Sequence, residues 1–215
     1  MKPTKSAGSG PAGASKQRRL IIGISGASGI IYGVRALQLL QNSDIETHLV
    51  MSKSAEMTLA YETDLQPASL RALASKHYQV SNIGASISSG SFVTMGMLIL
   101  PCSVRTMSEI ATGVTSSLLT RAADVVLKER RNLVLAVRET PLHVGHLRTM
   151  TQLAEMGAIV APIVPAFYNR PQSVADIVNQ TVGRLLDLFG IDTGIVRRWT
   201  GAPERSPPPA QEDIG

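Results

Sequence analysis

Only one cysteine, Cys102, occurs in 215 residues. A lone thiol excludes an intramolecular disulfide and points to a reducing compartment, so a cytoplasmic chain is the expectation. No apolar run reaches the ~20 residues that a membrane-spanning helix needs, and a soluble protein without a membrane span is expected. The four histidines, His48, His77, His143 and His146, are not spaced with acids or thiols as metal ligands would be. His143 and His146 could share a helix face as a solvated pair, and no metal is expected. The first 19 residues lack any acid yet hold Lys2, Lys5, Lys16, Arg18 and Arg19. Against a formal charge of +5, that leaves 16 basic and 16 acidic side chains elsewhere. The basic character belongs to a tail, and a neutral body does not read as a nucleic-acid footprint.

That tail is rich in Gly, Ser, Ala and Pro without periodicity, so residues 1–18 are expected to be disordered. It has no apolar segment of the secretory kind, and its glycines and prolines oppose the amphipathic helix of a transit peptide. Pro203 and Pro207 to Pro209 mark 202–215 as a second loose end. Residues 19–201 then form a single domain, for which 44% hydrophobic content is ample core material.

The stretch Arg19 to Gly29 organises that domain. An apolar run, Leu20-Ile21-Ile22, gives way to Gly23, Ser25, Gly26, Ala27, Ser28 and Gly29. Behind them Ile30, Val34, Leu37 and Leu40 recur at helical spacing, so the reading is strand, tight loop, helix. Backbone amides and the positive helix end could converge there on a phosphate, although a plain tight turn accounts for the same residues. Ser28 would be N-cap, phosphate ligand or both. The spacing is not the dinucleotide pattern G-x-G-x-x-G, because Ser25 stands at its second glycine.

Further strands are read at 45–51, 96–100, 133–137 and 159–164. Helices are read at 30–40, from Ser52 through Glu62, at 67–76, and at 104–111, 116–129, 145–156 and 173–189, the last opened by a capping box of Ser173 and Asp176. Residues 77–95 carry no clear pattern. Alternating strands and helices predict an α/β fold, a parallel sheet covered on both faces, with its ligand crevice at the carboxyl ends of the strands. Ser25 to Ser28, Ser52, Cys102 to Thr106, Arg138-Glu139 and Tyr168 all fall at such ends, and one site would collect them.

Arg121 and Lys128 are seven apart on one helical stripe, and Arg184 shares a stripe with Ile177, Thr181 and Leu188. With Arg138 they are candidate clamps for phosphate, or else solvated cations paired with Asp124 and Glu129. Glu62 and Glu139 are candidate proton-transfer groups, with an exposed carboxylate as the plain alternative. Cys102 reads as a packed small side chain, and Tyr168 and Trp199 as anchors unless they lie near the cations.

Taken in order, Gly23-Ile24-Ser25-Gly26-Ala27-Ser28-Gly29, Ser89-Gly90-Ser91, Pro101-Cys102-Ser103, the run Arg121 to Arg131, Arg138-Glu139-Thr140-Pro141 and the run Phe167 to Ser173 resemble the UbiX flavin prenyltransferases. The resemblance runs from about Arg19 to Trp199. It implies a Rossmann-like (flavodoxin-like) sheet binding FMN, and a homo-oligomer, typically a dodecamer, whose subunit contacts complete the site. It also implies transfer of a dimethylallyl group from dimethylallyl phosphate to N5 and C6 of reduced FMN, without a metal. The product, prenylated FMN, would serve a UbiD-type decarboxylase. By motif, the resemblance implies FMN contacts from Gly26, Ala27, Ser28, Ser52, Ser103, Val104, Arg105, Thr106 and Arg138. It implies a prenyl-phosphate clamp of Arg121, Lys128, Tyr168 and Arg184 with Ser91 close by. Glu62 and Glu139 match functional carboxylates, and Trp199 an aromatic near the prenyl pocket. Related flavin-dependent cysteine decarboxylases usually carry a histidine where this chain has Glu62 and an asparagine where it has Pro101-Cys102-Ser103. That activity, or a non-catalytic FMN carrier, is the alternative.

Overall fold

The computed structural model describes residues 17–201; of the expected loose ends, 1–18 and 202–215, only Gln17 and Arg18 fall among them, and Arg18 pairs with Asp44 at 3.0 Å. The chain runs β1 (Arg19–Ile24), α1 (Ile30–Leu40), β2 (Glu46–Met51), α2 (Lys53–Glu62), α3 (Pro67–Ala72), β3 (Lys76–Tyr78), β4 (Gly96–Cys102), α4 (Val104–Ala111), α5 (Leu118–Lys128), β5 (Asn132–Val137), α6 (Val144–Glu155), β6 (Ile159–Val160) and α7 (Val174–Asp187). Every strand pairing is parallel, in the order β3-β2-β1-β4-β5-β6. The chain starts mid-sheet, winds outward to β3 and then crosses to β4, so the order reverses between β1 and β4. Such a switch point leaves a crevice, because the connections on either side depart in opposite directions.

Successive strand residues point to opposite faces, and the core divides accordingly. Leu20, Ile22 and Ile24 pack with α1, α2 and α7, whereas Ile21, Met97 and Ile99 pack with α4, α5 and α6. Strands buried on both faces read as unbroken apolar runs rather than as alternation, which is why β1, β4 and β5 were visible in the sequence.

Two edges depart from the expectation. The helix read at 67–76 stops at Ala72, and an edge strand, β3, follows. It is three residues long, pairs with His48 to Val50, and is exposed at Lys76 and His77, too short and too polar for a periodic signal. The strand read at 159–164 is assigned only to Ile159–Val160. Ala161 and Ile163 still donate amides to Leu135 and Val137, but Pro162 has no N–H to continue a ladder.

His48 in β2 is fully buried. Its Nδ1 shares a 2.8 Å hydrogen bond with the Tyr78 hydroxyl, and its Nε2 lies 3.5 Å from the Glu46 carboxylate. Burial pushes the imidazole down to about 4, against the pull of Glu46.

Candidate active site

Three turns meet at the carboxyl edge of the sheet, one each after β1, β2 and β4. Ser25 joins them. Its hydroxyl donates to the Pro101 carbonyl at 3.1 Å and accepts from the Ser103 amide at 2.7 Å, while its own amide donates to Pro101. The Ser52 amide donates to Ile24 at 3.0 Å. Ser25 is wholly buried, so these bonds form away from water and fix the spacing of the turns.

Each turn opens a helix. Ser52 caps α2 by accepting from the Ala55 amide, and Ser103 caps α4 by accepting from the Thr106 amide. These caps satisfy the third amide and leave Lys53, Ser54, Val104 and Arg105 with no intrahelical acceptor, a donor set suited to an anion. The glycine turn lies hard against α2, since a Cβ on Gly26 would sit 2.4 Å from Ser54. Gly29 adopts φ +95, which a side chain would strain.

The start of α1 differs from the expectation. Its N-cap is Gly29, with no side-chain cap, so Ser28 is not the capping residue. Glu62, at the end of α2, takes that role. Its carboxylate accepts from the Gly29 amide at 2.9 Å and from the Ile30 amide at 3.0 Å. Burial raises its affinity for a proton, but the Ser28 hydroxyl, the two amides and the charge of Arg138 together hold the carboxyl below its ordinary value. The positive end of α1 is thus occupied by an anion from within the chain, leaving the starts of α2 and α4 for an external phosphate.

Arg138 and Glu139 follow β5 at the same edge. The Arg138 amide donates to Cys102 at 3.1 Å, and its exposed guanidinium has no ion pair among the described residues. The Glu139 carboxylate accepts from the Thr140 amide. Cys102 is fully buried and burial pushes its thiol up to about 12, which makes it a packing residue as expected.

The other cations form two groups. On α7, Arg184 lines a cleft of ≈ 270 Å³ with Tyr168, Val196, Arg198 and Trp199. The Tyr168 and Trp199 rings meet edge to face at 5.9 Å, and Gln180 donates to the Tyr168 hydroxyl. On α5, Arg121 pairs with Asp124 at 2.6 Å and Lys128 with Glu129 at 2.5 Å. Lys128 lies against the Ser89-Gly90-Ser91 turn, where a Cβ on Gly90 would approach its Nζ to 2.8 Å. The two helices pack on opposite faces of the sheet. Lys128 ends α5 just before β5 begins, and the carbonyl of Leu188, beyond α7, accepts from Asn132, the first residue of β5. Lys128 and Arg184 therefore sit toward the amino edge, away from the three turns. The expectation that one site would collect Ser25 to Ser28, Ser52, Cys102 to Thr106, Arg138-Glu139 and Tyr168 holds for the turns and Arg138-Glu139, which Glu62 joins, whereas Tyr168 lies in the α7 cleft with Arg184.

Asp187 and Arg198 were not read as site residues from the sequence, and Ser25 was placed at the site without its role in joining the turns. An arginine beside the chain's only tryptophan is the signal that could have found Arg198. Asp187 gave none.

A doubly wound parallel sheet with open helix starts at its switch point defines a phosphate-binding α/β protein. Residues 10–186 match the family model described as Flavoprotein. The flavin prenyltransferase UbiX of Escherichia coli (strain K12) is 62% identical over 188 residues, 86% of this chain and 100% of that protein. A crystal structure of AnUbiX in complex with FMN and dimethylallyl pyrophosphate superposes with a TM-score of 0.86 at 47% identity, covering 87% of this chain and 100% of that one. A dodecameric FMN-dependent UbiX-like decarboxylase from Escherichia coli O157:H7 gives 0.83 at 47% identity, over 85% and 100%. The chain belongs to the flavoprotein family and, within it, to the UbiX flavin prenyltransferases.

Proposed function

We propose that this chain joins a dimethylallyl group to reduced FMN at a site shared between copies of itself. FMN suits the donors at the switch point: a phosphate dianion matches the open amides of α2 and α4 with the hydroxyls of Ser52 and Ser103, and Arg138 adds charge. When bound, the reduced flavin supplies the nucleophilic atoms at N5 and C6. Gly26, Ala27 and Ser28 line its approach, Val104, Arg105 and Thr106 offer backbone and hydroxyl contacts, and Glu62, kept ionised beside Ser28, is the group available to receive a proton.

Loss of phosphate from an allylic carbon leaves negative charge on the leaving oxygen. Arg184 and Tyr168 of one copy, with Arg121, Lys128 and Ser91 of another, hold that charge, and Glu139 manages the phosphate proton. Trp199 walls the prenyl chain and its π-face favours the developing cation. Removing one such electrostatic partner costs ~3 kcal/mol of barrier, a hundredfold or more in rate. The donor is the monophosphate, the assembly is a homo-oligomer of the dodecameric kind seen in a relative, and the product goes to a UbiD-type decarboxylase in the cytoplasm. No helix among the described residues is long and apolar enough to cross a membrane.

The observation that carries this reading is the pairing of two open helix starts, those of α2 and α4, with a separate arginine cleft walled by tyrosine and tryptophan. Anaerobic incubation with reduced FMN and dimethylallyl phosphate tests it. Release of phosphate and a flavin heavier by one prenyl group support it; bound FMN with neither product ends it.

A further inference from the structure

Two guanidiniums in the α7 cleft converge on one carboxylate. Asp187 Oδ2 accepts from Arg184 Nη1 at 2.7 Å and from Arg198 Nη1 at 2.9 Å, and Oδ1 accepts from Arg198 Nη2 at 3.0 Å. The side chain of Asp187 is 15% exposed, while those of Arg184 and Arg198 are 55% and 48% exposed. The anion is tucked behind and the cations stand in front. Asp192, 3.4 Å from Arg198 and 70% exposed, is screened by solvent and offsets little of that charge.

We infer that Arg198 is a further ligand of the leaving phosphate beside Arg184, and that Asp187 is a positioning residue that holds Arg184 and Arg198 as one receptor. Each arginine presents five donors, and Asp187 engages one of Arg184 and two of Arg198, so donors remain on both for a phosphate. A carboxylate bound to both forks fixes their orientation before the ligand arrives and lowers the entropy lost on binding. Consecutive residues deliver them: Arg198 and Trp199 both line the cleft, while the Arg197 guanidinium turns away to the Asn169 carbonyl. One backbone step thus supplies both a cation for phosphate and an aromatic wall for an apolar chain. The ligand this selects is a short prenyl chain ending in phosphate, and the inference rests on the reading given above.

Binding of dimethylallyl phosphate to the FMN-loaded protein, followed by titration calorimetry, separates the two. Arg198→Gln is expected to weaken that binding roughly tenfold or more and to raise KM in step, leaving FMN affinity unchanged. Arg198→Lys keeps the charge without the fork and is expected to fall between. Asp187→Asn removes a negative charge, so simple Coulomb attraction predicts tighter phosphate binding; loss of orientation predicts weaker, which is the expected result. Unchanged affinity in Arg198→Gln, or tighter binding in Asp187→Asn, overturns the inference. If Arg198→Gln fails to fold, wild-type affinity in Arg198→Lys also overturns it. A wild-type protein that binds dimethylallyl phosphate without transferring it defeats the prenyltransferase reading alone.

Discussion

Replacing Glu62 tests whether the start of α1 is an anion site filled from within. In Glu62→Ala the Gly29 and Ile30 amides lose their acceptor while the helix keeps its dipole. Loss of a helix cap costs ~1 kcal/mol, and the exposure of this carboxylate argues against a larger figure. For a domain of this size that is a fall in Tm of roughly 2–4 °C. Glu62→Gln retains an oxygen acceptor and loses only charge, so it should fall by less. The pH dependence follows from sign. A carboxyl held below its ordinary 4.5 when folded stabilises the fold above that pH and ceases to do so as pH drops through the lower folded value. The wild-type advantage over Glu62→Gln should therefore be complete at neutral pH and vanish in acid. Sulfate supplies the second arm: the vacated amides of Glu62→Ala should bind it, so millimolar sulfate should restore Tm in that variant more than in wild type. Differential scanning calorimetry at neutral and acid pH, with and without sulfate, measures all three effects. A Glu62→Ala protein that melts with wild type and ignores sulfate would refute the capping argument.

Other consequences are equally direct. His48 is held neutral by burial among Glu46, Lys76, Arg19 and Tyr78, with a folded value of about 4 against 6.5 unfolded. The unfolded chain takes up the proton first, so stability complete at pH 8 should drop by about 2 kcal/mol at pH 5; His48→Gln should flatten that slope in urea titrations, and an unchanged slope would assign it to other groups. Ser25→Ala strands the Ser103 amide without its 2.7 Å acceptor, costing ~1–2 kcal/mol. Because that amide belongs to a turn proposed to hold the FMN phosphate, FMN fluorescence titrations should also show weaker binding, and Ser25→Thr should restore it; intact FMN affinity in Ser25→Ala would leave Ser25 a stabilising residue only.

How much of this was legible in the sequence depended on whether the signal was local. β1, β4 and β5 announce themselves because a strand covered on both faces is apolar throughout, and the Ser173 and Asp176 box marks the start of α7 by two reciprocal bonds. Ser52 and Ser103 fall one residue before helices, and both cap them. What stayed hidden depends on residues far apart in the chain. Glu62 reaches α1 across 33 residues, and Ser25 bonds Ser103 across 78. Glu62 was singled out for its chemical type, yet only its position shows that it serves α1 as an anion. β3 exists through pairing with β2, which no local pattern of Lys76 to Tyr78 encodes.

The division of the cations sets the final test. Strands of six residues separate the two edges of the sheet by ~20 Å, and α5 and α7 lie on opposite faces, so no side chain spans from Lys128 or Arg184 to the three turns. A shared site requires the amino edge of one copy to meet the carboxyl edge of another, a heterologous contact that joins unlike surfaces and closes only as a ring or higher assembly. Lys128→Ala and Arg184→Ala should then each abolish prenyl transfer while retaining FMN. Unfolded together and refolded as a mixture, they should regain activity: where Arg184 and Lys128 enter one site from different chains, about a quarter of the mixed sites combine both intact halves. Activity regained in the mixture but not in either variant alone places the two residues on different copies. A mixture as inactive as its components, with assembly verified by size, would put both cations on one chain and defeat the shared site.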